Sequence, residues 1–574
     1  MPNNASIYHC ASRPWQYVDS RGTAVLTLRV VRNLGAEVRC YCGDPCDTAE
    51  TPQGVKIPRL RTIALTPVLS DRAFDYYQAS VPMETHKLRY HFIVKIGPTE
   101  WIYDETGLSE PKSEVFIRPF FISYYFDAEL FLAPGWAKST VWYQIFPDRF
   151  CRAEDGQSRC AAWHSTEVTD RDIRYGGNLR GITGKIPYFK DLGITGLYLN
   201  PIFAAKSVHR YDTIAYDRID PGLGSEEDFR RLCEECHRSG IRVMLDGVFN
   251  HSSDSSEPFQ SVLRLGRQSP YYDWFIINSP EKVSEQAALT STDPRSRETN
   301  AYEMFSFVPS MPKWNTRNRE VTEYLIGTAE RWTRQYGIDA WRLDVPDEVS
   351  DEFLRTFRKR LKAIDSGIYI IGEIWSDAAH WLTGDMFDGV MNYTLYYAVR
   401  DFIALGASDA FEFADRLTGY LVNYAESRDG MFNFCGNHDV PRILTLCGGN
   451  ESRALLCHLA CAVMAGGLSI YYGDEVPLSG GADPDNRRVM PWGEDGFGET
   501  KYSEQLRKII ALKKQFAACR CAGVRALDAD TAELSFTGGA CGRVLINRAD
   551  SEKRVRVGDS WAVIPAFGYT LVEA

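Results

Sequence analysis

The sequence predicts a multidomain protein in which a central (β/α)₈ barrel, of the TIM type and with an inserted subdomain, lies between an N-terminal β-sandwich and a C-terminal β-sandwich domain. Three observations predict this. Apolar runs alternate with helical segments from Val141 onward, which is typical of a parallel sheet built from βα units. Short runs with period-two alternation fill the region before about residue 120 and return after about residue 520. With 574 residues, the chain is long enough for several domains.

The predicted domain limits follow these changes of pattern. We expect the N-terminal β-sandwich over residues 1–121, the barrel over residues 122–505 and the C-terminal β-domain over residues 506–574. Residues 252–315, after the third predicted barrel strand, are polar and irregular. Because a structureless loop of this length is unusual inside a compact domain, we interpret them as an inserted subdomain.

Eight apolar runs supply the barrel strands, at residues 141–150, 194–203, 241–248, 338–345, 368–375, 389–395, 431–437 and 468–475. Such runs are typical of parallel strands covered on both faces. Several of the intervening segments carry helix signals. In one of them Ser225 is the expected N-cap and Gly240 the C-terminal stop, and further helices are expected over residues 319–337 and 351–365.

Composition and charge exclude several classes of function. The formal net charge of −11 argues against a nucleic-acid partner. No apolar run reaches the ~18 residues of a membrane span, and no basic segment followed by an apolar one opens the chain, so we expect neither a membrane anchor nor a secretory signal. The 15 Cys are an odd number and indicate reduced thiols in a cytoplasmic protein. Cys233 and Cys236 lie on a helical pattern and are interpreted as structural thiols.

Acidic residues stand at the ends of four predicted barrel strands. These residues are Asp246, Asp344, Glu373 and Asp439. In a (β/α)₈ barrel, the C-terminal ends of all strands meet at one mouth, where catalysis takes place. A buried carboxylate is costly unless it is paired or functional. The arrangement therefore predicts several carboxyl groups around one cavity, as in a glycosidase.

Breaking a glycosidic bond requires one carboxylate that attacks the anomeric carbon and one protonated carboxyl that donates to the leaving oxygen. We predict Asp344 as the nucleophile, because Arg342 lies two residues earlier on the same face of the strand and would keep it ionised. We predict Glu373 as the acid and base, because its apolar neighbours, including Trp375, favour a protonated carboxyl.

The other polar residues at these strand ends are expected to hold the sugar. Asp439 would bind ring hydroxyls and favour a distorted, positively charged transition state, while His251 and His438 would donate hydrogen bonds to hydroxyls. A single Arg-x-Asp is most often a structural ion pair, and a single Asn-His-Asp is usually a turn. Four such elements in this order along one barrel indicate a catalytic site instead.

Four segments resemble the signature regions of the α-amylase family, glycoside hydrolase family 13: DGVFNH (246–251), GIDAWRLDV (337–345), GEIW (372–375) and FCGNHD (434–439). The resemblance extends from about Val141 to Trp492. It implies a TIM barrel with a domain B after the third strand, a C-terminal β-domain and a retaining mechanism, and no cofactor is expected to be required. It assigns Asp344 as nucleophile, Glu373 as acid and base, and Asp439 as transition-state stabiliser.

The resemblance also implies the substrate-binding residues. His209 and Tyr211, in SVHRYDT, match a segment whose tyrosine stacks under the sugar beside the cleaved bond. Asp483 and Arg487, in DPDNR, match a pair on the non-reducing side. The expected substrate-binding set comprises Tyr211, His209, His251, Arg342, His438, Asp246, Asn250, Trp375, Asp483 and Arg487. No metal ligand is predicted.

A further segment, MPKWN (311–315), is similar to the MPKLN segment of the neopullulanase, cyclomaltodextrinase and maltogenic amylase group, with Trp314 in place of leucine. Members of that group carry an N-terminal β-sandwich of carbohydrate-binding-module type and are typically intracellular. Many are homodimers in which the N-terminal domain of one subunit covers the partner's site. The resemblance therefore implies α-glucan oligosaccharides and cyclodextrins as substrates, and a homodimer.

Calcium is possible, but its usual site is expected to be degraded. Relatives often bind Ca²⁺ through an Asn-Gly-Asp segment just after the first strand, whereas residues 151–154 here are Cys, Arg, Ala and Glu. Arg152 would put a cation where an oxygen ligand is needed. Asn178 stands where relatives often have Asp. We predict that this calcium site is lost or weak.

Three alternatives stay open at this point. The chain is a hydrolase of α-1,4-glucosidic bonds in cyclodextrins, maltooligosaccharides and pullulan, or a transglycosylase or exo-acting α-glucosidase of the same family. A non-enzymatic scaffold is disfavoured because all three carboxyl groups are present. For the N-terminal domain, carbohydrate binding and a structural or dimerising role are equally compatible with the sequence.

Overall fold

A computed structural model describes residues 5–52, 54–126, 130–131, 133–153, 163, 170–292, 300–493, 500–539 and 541–573. The N-terminal part consists of antiparallel strands. They are β1 (Ile7–Tyr8), β2 (Gln16–Val18), β3 (Thr23–Val31), β4 (Ala36–Gly43), β5 (Thr48–Glu50), β6 (Lys56–Pro58), β7 (Arg61–Ser70), β8 (Phe74–Pro82), β9 (Leu88–Ile96), β10 (Thr99–Asp104), β11 (Gly107–Ser109) and β12 (Phe120–Ile122).

Strand β7 connects the two layers of this predicted sandwich. Its first half pairs with β4, and its second half, from Thr66 onward and with an irregularity between Pro67 and Leu69, pairs with β8. Pro67 interrupts the apolar alternation of this strand, so its sequence carries only a weak strand signal. In β4 the alternation is regular, and Cys40 and Cys42 both point into the core between the layers.

The central part alternates strands and helices. In chain order these are β13 (Val141–Ile145), α1 (Pro147–Phe150), α2 (Leu179–Gly184), α3 (Ile186–Leu192), β14 (Gly196–Leu199), β15 (Phe203–Ala205), β16 (Thr213–Ile219), α4 (Glu226–Arg238), β17 (Arg242–Gly247), α5 (Glu257–Leu265), α6 (Val283–Ala287), α7 (Arg319–Tyr336), β18 (Ala340–Leu343), α8 (Asp351–Ile364), β19 (Tyr369–Gly372), β20 (Gly389–Val390), α9 (Tyr393–Val399), α10 (Ala410–Asn423), β21 (Phe432–Asn433), α11 (Ile443–Leu446), α12 (Glu451–Val463), β22 (Gly467–Tyr471) and α13 (Lys501–Phe516).

Eight of these strands form one parallel sheet in the order β20, β19, β18, β17, β14, β13, β22 and β21. A parallel bridge between Met391 and Phe432 joins the two ends and closes the barrel. Each predicted barrel run supplies one strand, which confirms the (β/α)₈ architecture. The strand predicted over residues 389–395 is wrong in its second half, because the Asn392 side chain accepts a hydrogen bond from Leu395 N–H and starts α9.

The signals that predicted α4 are confirmed in detail. The Ser225 hydroxyl accepts from the backbone N–H of Asp228, and the Asp228 carboxylate accepts from that of Ser225, which forms a capping box. Gly240 follows the helix with a φ of 72°, a left-handed conformation that glycine adopts without strain.

The inserted segment between β17 and α7 contains α5 and α6 and packs around Trp314. The Trp314 ring stacks on Phe275 with ring centroids 4.8 Å apart, and its Nε1 donates to the Tyr216 hydroxyl at 3.1 Å. A buried indole needs such a partner for its N–H, and Tyr216 supplies it. Tryptophan at the position of the expected leucine is therefore accommodated in the core.

The C-terminal part is again antiparallel, with β23 (Arg520–Ala526), β24 (Thr531–Thr537), β25 (Cys541–Asn547), β26 (Lys553–Val557), β27 (Ser560–Ile564) and β28 (Gly568–Glu573). Strands β23, β24, β25 and β28 form one sheet, and β26 pairs with β27. Two predicted domain limits fall inside elements, residue 121 in β12 and residue 505 in α13. Because β12 pairs with β9 and α13 packs on α12, we propose residues 122 and 516 as the limits.

Candidate active site

The four predicted carboxyl groups come together at the C-terminal ends of the barrel strands. Asp246 lies in β17, and Asp344 and Glu373 directly follow β18 and β19. Asp439 lies in the loop after β21. A cavity of about 460 Å³ opens here, and its walls include Asp344, Glu373 and Asp439.

One guanidinium group connects three of the four carboxylates. Nη1 of Arg342 lies 2.8 Å from Asp344 Oδ1 and 2.9 Å from Asp246 Oδ1, while Nη2 lies 2.8 Å from Glu373 Oε2. Arg342 is fully buried and Asp246 nearly so, so these two lie beneath the cavity. A planar guanidinium directs its N–H groups at fixed angles, so Arg342 aligns Asp344 and Glu373 side by side.

The electrostatics of this cluster correct one expectation. Arg342 lies beside Asp344 as predicted and lowers the pKa of that carboxyl. Burial, Glu373 and Asp246 nevertheless outweigh it and raise the pKa of Asp344 well above its usual range, so Arg342 alone does not keep Asp344 ionised. Burial likewise raises the pKa of Asp246. Asp344 therefore loses its proton more easily when a neighbouring carboxyl carries no charge.

Asp439 is held from the other side of the cavity. Arg487 Nη2 lies 3.3 Å from Asp439 Oδ1, and Nη1 lies 3.0 Å from Asp483 Oδ1. Asp483 also pairs with Arg171 at 2.7 Å. Burial and the charge of Glu373 raise the pKa of Asp439 to about 7, against the opposing effect of Arg487.

A chain of hydrogen bonds orients Tyr211, the residue expected to stack under the sugar. Its hydroxyl donates to Asp246 Oδ2 at 2.9 Å and accepts from His438 Nε2 at 2.6 Å. Gln144 Nε2 donates to His438 Nδ1 at 2.9 Å, which selects the tautomer with the proton on Nε2. Burial, with Arg487 and Arg342 nearby, lowers the pKa of His438 well below its usual value, so the ring is neutral. The Tyr211 and His438 rings are nearly parallel, with centroids 5.4 Å apart.

The remaining predicted sugar ligands differ in what they offer. His251 Nε2 donates to the Tyr211 carbonyl oxygen at 3.0 Å, and its Nδ1 accepts from Asn250 Nδ2 at 3.3 Å. The ring nitrogens of His251 and His438 thus bond within the protein rather than pointing to a sugar. Asn250 is fully buried, behind the cavity wall. His209 accepts the Tyr211 N–H at Nδ1, so its Nε2–H is directed elsewhere along the cavity that it lines.

Trp375 is the exposed member of the predicted set. Its ring is 42% exposed and stacks on Tyr393 with centroids 4.1 Å apart. Its Nε1 donates to Glu373 Oε1 at 3.1 Å, which was not expected from the sequence. The backbone N–H of Val345 donates to the other oxygen of Glu373 at 3.3 Å, from a left-handed conformation with a φ of 43° that is strained for a β-branched residue.

Five lining residues were not predicted. They are Arg171, Phe305, Met311, Val345 and Asp347. Val345 and Asp347 lie one and three residues after Asp344, so their position in the chain could have indicated them. Phe305 stacks on His251 with centroids 4.8 Å apart, but it belongs to an irregular segment without a periodic signal.

The described residues near the expected calcium site do not fit a cation. Arg152 Nη1 donates to the Tyr175 carbonyl oxygen at 3.4 Å. The Asn178 amide oxygen accepts from the N–H groups of Gly181 and Ala153 and caps α2. Glu154 lies outside the described residues. A guanidinium and an amide oxygen already in use make a poor ligand set for Ca²⁺, and loss of the site stays a prediction.

A closed parallel barrel with clustered carboxyl groups at its mouth defines the class, an acid–base hydrolase of the glycosidase type. Comparison with known proteins agrees. The family model described as "Alpha amylase, catalytic domain" matches residues 144–516, more than half of the chain, and that described as "Alpha amylase, N-terminal ig-like domain" matches residues 1–127. This chain belongs to the α-amylase family of glycoside hydrolases, and the resemblance drawn from its four segments is confirmed.

Individual relatives fall in the expected group. The chain is 40% identical over 529 residues to a cyclomaltodextrinase of Geobacillus thermopakistaniensis, covering 92% of this chain and 87% of that protein. It is 40% identical over 465 residues to Neopullulanase 2 of Thermoactinomyces vulgaris, covering 80% and 77%. A solved structure of a protein named cyclomaltodextrinase superposes with a TM-score of 0.86 at 30% identity and covers 98% of each chain.

Proposed function

We propose that this protein hydrolyses α-1,4-glucosidic bonds of cyclodextrins, maltooligosaccharides and pullulan with retention of configuration. The observation that carries the proposal is the shared guanidinium of Arg342, which aligns Asp344 and Glu373 on adjacent nitrogen atoms. A retaining glycosidase needs its two carboxyl groups only about 5–5.5 Å apart, so that no water fits between the nucleophile and the sugar. Asp344 and Glu373 each place one carboxylate oxygen on the Arg342 guanidinium, which is compatible with that spacing.

The roles follow from the contacts of each carboxyl. Asp344 attacks the anomeric carbon while Glu373 donates its proton to the leaving oxygen, and a covalent glucosyl-enzyme forms. Glu373 then takes a proton from the water that attacks this intermediate. Because the charge of Glu373 is one of the causes that raise the pKa of Asp344, a proton on Glu373 lowers that pKa and favours the ionised form of Asp344. Asp439, ionised beside Arg487, stabilises the positive charge that develops on the sugar ring.

The substrate class rests on the relatives and on the size of the cavity. Relatives at 40% identity are named cyclomaltodextrinase and neopullulanase. A cavity of about 460 Å³ with exposed Trp375 at its wall suits a few glucose units rather than a starch granule. Transglycosylation or exo-acting α-glucosidase activity is the alternative, because either needs the same carboxyl groups and differs only in the acceptor or the binding mode.

Products from β-cyclodextrin, pullulan and soluble starch, compared side by side, test the proposal. We expect maltose and glucose from β-cyclodextrin, faster turnover of β-cyclodextrin than of starch, and an α-anomer as the first product in a proton NMR time course. Oligomers longer than the substrate at high sugar concentration would favour the transferase. Inactivity on all three glucans would contradict the proposal, as would a β-anomer.

The proposed assembly is a cytoplasmic homodimer. The described cysteine side chains are free thiols, as a reducing compartment requires. None of the helices within the described residues is long and apolar enough to cross a membrane. Phe116 and Phe121 of the N-terminal domain and Tyr124 just after it are 67%, 44% and 58% exposed, and aromatic side chains this exposed favour an interface. Sedimentation velocity should give a dimer that Phe116→Ser combined with Phe121→Ser dissociates; a monomeric starting protein would contradict it.

A further inference from the structure

The loop that carries Asp439 lies outside helices and strands. β21 ends at Asn433 and α11 begins at Ile443, and the residues between them belong to neither kind of element. Backbone groups in such a segment have no ladder of hydrogen bonds, so side chains or water must supply their partners. Since an active-site carboxylate has to be held within about 0.5 Å of its productive position, the groups that hold this loop affect what Asp439 can do.

Asn437 bonds the N–H groups of this loop. Its Oδ1 accepts from the backbone N–H of Asp439 at 2.8 Å and from that of Val440 at 3.2 Å. Its Nδ2 donates to the Tyr393 hydroxyl at 3.0 Å, which attaches the loop to α9. An asparagine that bonds the backbone two residues further on is a common turn device. It satisfies N–H groups of the loop and leaves the carbonyl oxygens to other partners.

Asn486 bonds the carbonyl groups of the same loop, from a distant part of the chain. Its Nδ2 donates to the His438 carbonyl oxygen at 2.8 Å and to the Val440 carbonyl oxygen at 2.9 Å, one on each side of Asp439. Because both partners can only accept, the orientation of the amide is defined. The Asn486 side chain is fully buried, and its backbone lies so close to Gly480 that a Cβ added there would be 2.9 Å from the Asn486 Cα.

Arg487, the next residue, bonds both the backbone and the carboxylate. Its Nε donates to the His438 carbonyl oxygen at 2.9 Å, and its Nη2 lies 3.3 Å from Asp439 Oδ1. Both residues belong to one short 3₁₀ helix, Asp485–Arg487. This helix therefore holds the loop through Asn486 and the carboxylate through Arg487. Arg487 lines the cavity, whereas Asn486 is not among the described residues that line it.

We infer that Asn486 is a positioning residue, which acts through Asp439 by fixing the backbone on both sides of it. The inference rests on the proposed function, in which Asp439 stabilises the positive charge on the sugar ring. A displaced Asp439 weakens this interaction most in the transition state, where the charge has developed, so loss of the Asn486 amide lowers kcat more than it weakens binding. An asparagine with a structural role alone would lower the free energy of unfolding without this effect on kcat.

Asn547 in the C-terminal sheet offers a matched control. It is also fully buried, and its Nδ2 donates to the backbone carbonyl oxygens of Ser551 at 2.8 Å and Pro565 at 2.9 Å. Asn486→Ala and Asn547→Ala thus each remove an amide that bonds two carbonyl oxygens, and both should lower the midpoint of urea unfolding. Only Asn486→Ala should lower kcat, by about 100-fold, which is the effect of a misplacement of ~1 Å.

The kcat values are measured on 4-nitrophenyl α-maltoside, whose good leaving group keeps slow variants measurable. The Kd for maltotriose, determined by calorimetry in the inactive background Asp344→Asn, should change by less than about threefold on Asn486→Ala, since the substrate in its ground state carries no such charge. In the background Asp439→Asn, Asn486→Ala should lower kcat by less than about fivefold, because the carboxylate that it positions is already absent.

Asn486→Ser provides a milder variant that tests the inference even if the alanine variant does not fold. Its hydroxyl can donate to one of the two carbonyl oxygens, so kcat should fall by about tenfold and the loss should again shrink in the background Asp439→Asn. A kcat within about twofold of wild type in a folded Asn486 variant would overturn the inference. An equal loss in both Asp439 backgrounds, or an equal loss in Asn547→Ala, would overturn it as well.

Hydrogen exchange separates this inference from the proposed function, because it needs no turnover. The amides of Asp439 and Val440 should exchange at least about tenfold faster in Asn486→Ala than in the wild-type protein and at an unchanged rate in Asn547→Ala. Faster exchange in a protein that cleaves no glucan would support the placement of Asp439 by Asn486 and contradict only the proposed reaction. Unchanged exchange of both amides in Asn486→Ala would overturn the inference, even where the products match the proposed function.

Discussion

Two buried arginine–carboxylate groups lie at the same end of the barrel and differ in what surrounds them. Arg342 binds Asp344 and Glu373 at the wall of an open cavity, whereas Arg442 binds Asp474 at 3.1 Å in a closed interior. Asp439 lines the same cavity as Asp344 and Glu373. Its pKa and that of Asp474 are both raised to about 7, mainly by burial. The Asp439 side chain is 26% exposed and that of Asp474 1%.

The comparison teaches that a raised pKa does not by itself identify a catalytic carboxyl. Burial perturbs a structural carboxyl as strongly as a functional one. Asp439 differs because it lines a cavity, and its protein partners leave part of its carboxylate exposed to that cavity. Glu475, next to Asp474, instead accepts from the hydroxyls of Tyr143 and Tyr188 and is fully enclosed.

The largest effect is expected from Asp344→Asn. Loss of the attacking carboxylate should lower kcat on β-cyclodextrin by about 10⁴- to 10⁶-fold, the range found when a nucleophile is removed. Maltotriose binding, measured by calorimetry, should persist because the amide keeps the shape of the side chain. If the folded variant keeps its turnover, Asp344 is not the nucleophile. The Arg342 group would then no longer differ from the Arg442 group in taking part in catalysis.

Asp474→Asn should change stability rather than turnover. The pKa of Asp474 in the folded state is raised to about 7 from the usual value near 4. Its contribution to stability is therefore fully present below pH 4 and is lost as the pH rises through 7, by up to about 4 kcal/mol. The asparagine variant should lack this decline in urea unfolding between pH 4 and pH 7.5. A fall in kcat of more than about tenfold would show that the enclosed Arg442–Asp474 pair takes part in catalysis.

Arg487→Met should shift the pH dependence of activity. Arg487 lowers the pKa of Asp439, so its removal raises that pKa above 7. If Asp439 must be ionised, kcat/KM falls below the pKa, and the acidic limb of the profile should move up by about one pH unit. Arg171→Met is the matched control, because Arg171 pairs with Asp483 and not with Asp439. If the acidic limb of the kcat/KM profile lies at the same pH in both variants, this account of Asp439 is contradicted.

The smallest effect is expected from chelation. Because Arg152 and Asn178 offer no free oxygen ligand, EDTA should move the midpoint of thermal unfolding by less than about 1 °C. Added Ca²⁺ should have as little effect. A fall of several degrees on adding EDTA would mean that the barrel mouth depends on a bound metal after all.

Most of the barrel could be predicted from the chain because its strands are continuous apolar runs, each ending at a polar residue. The strand lengths could not, since Asn392 converts the second half of one run into a helix. Strand β7 gives only a weak signal in the sequence, because its alternation is broken where it passes between two sheets. The carboxyls at the mouth were found because strand order in a barrel brings their positions together.

The protonation of the site was not predictable, because it depends on distances between residues far apart in the chain. The sequence places Arg342 beside Asp344, but only the folded barrel buries Asp344, adds Glu373 and Asp246 to the same guanidinium and so reverses the expected pKa shift. Phe305 and Arg171 reach the cavity from irregular segments, whose course depends on tertiary packing alone.

By itself, the amino-acid sequence determined the family, the barrel order and the residue types at its mouth, since these depend on local periodicity and short segments. Only the tertiary structure decided which carboxyl groups share a cation, which histidine nitrogens are already bonded, and which buried amide bonds the backbone on both sides of Asp439. The physical reason is that burial and Coulomb interactions act through space, so their sum is defined only once the chain has folded.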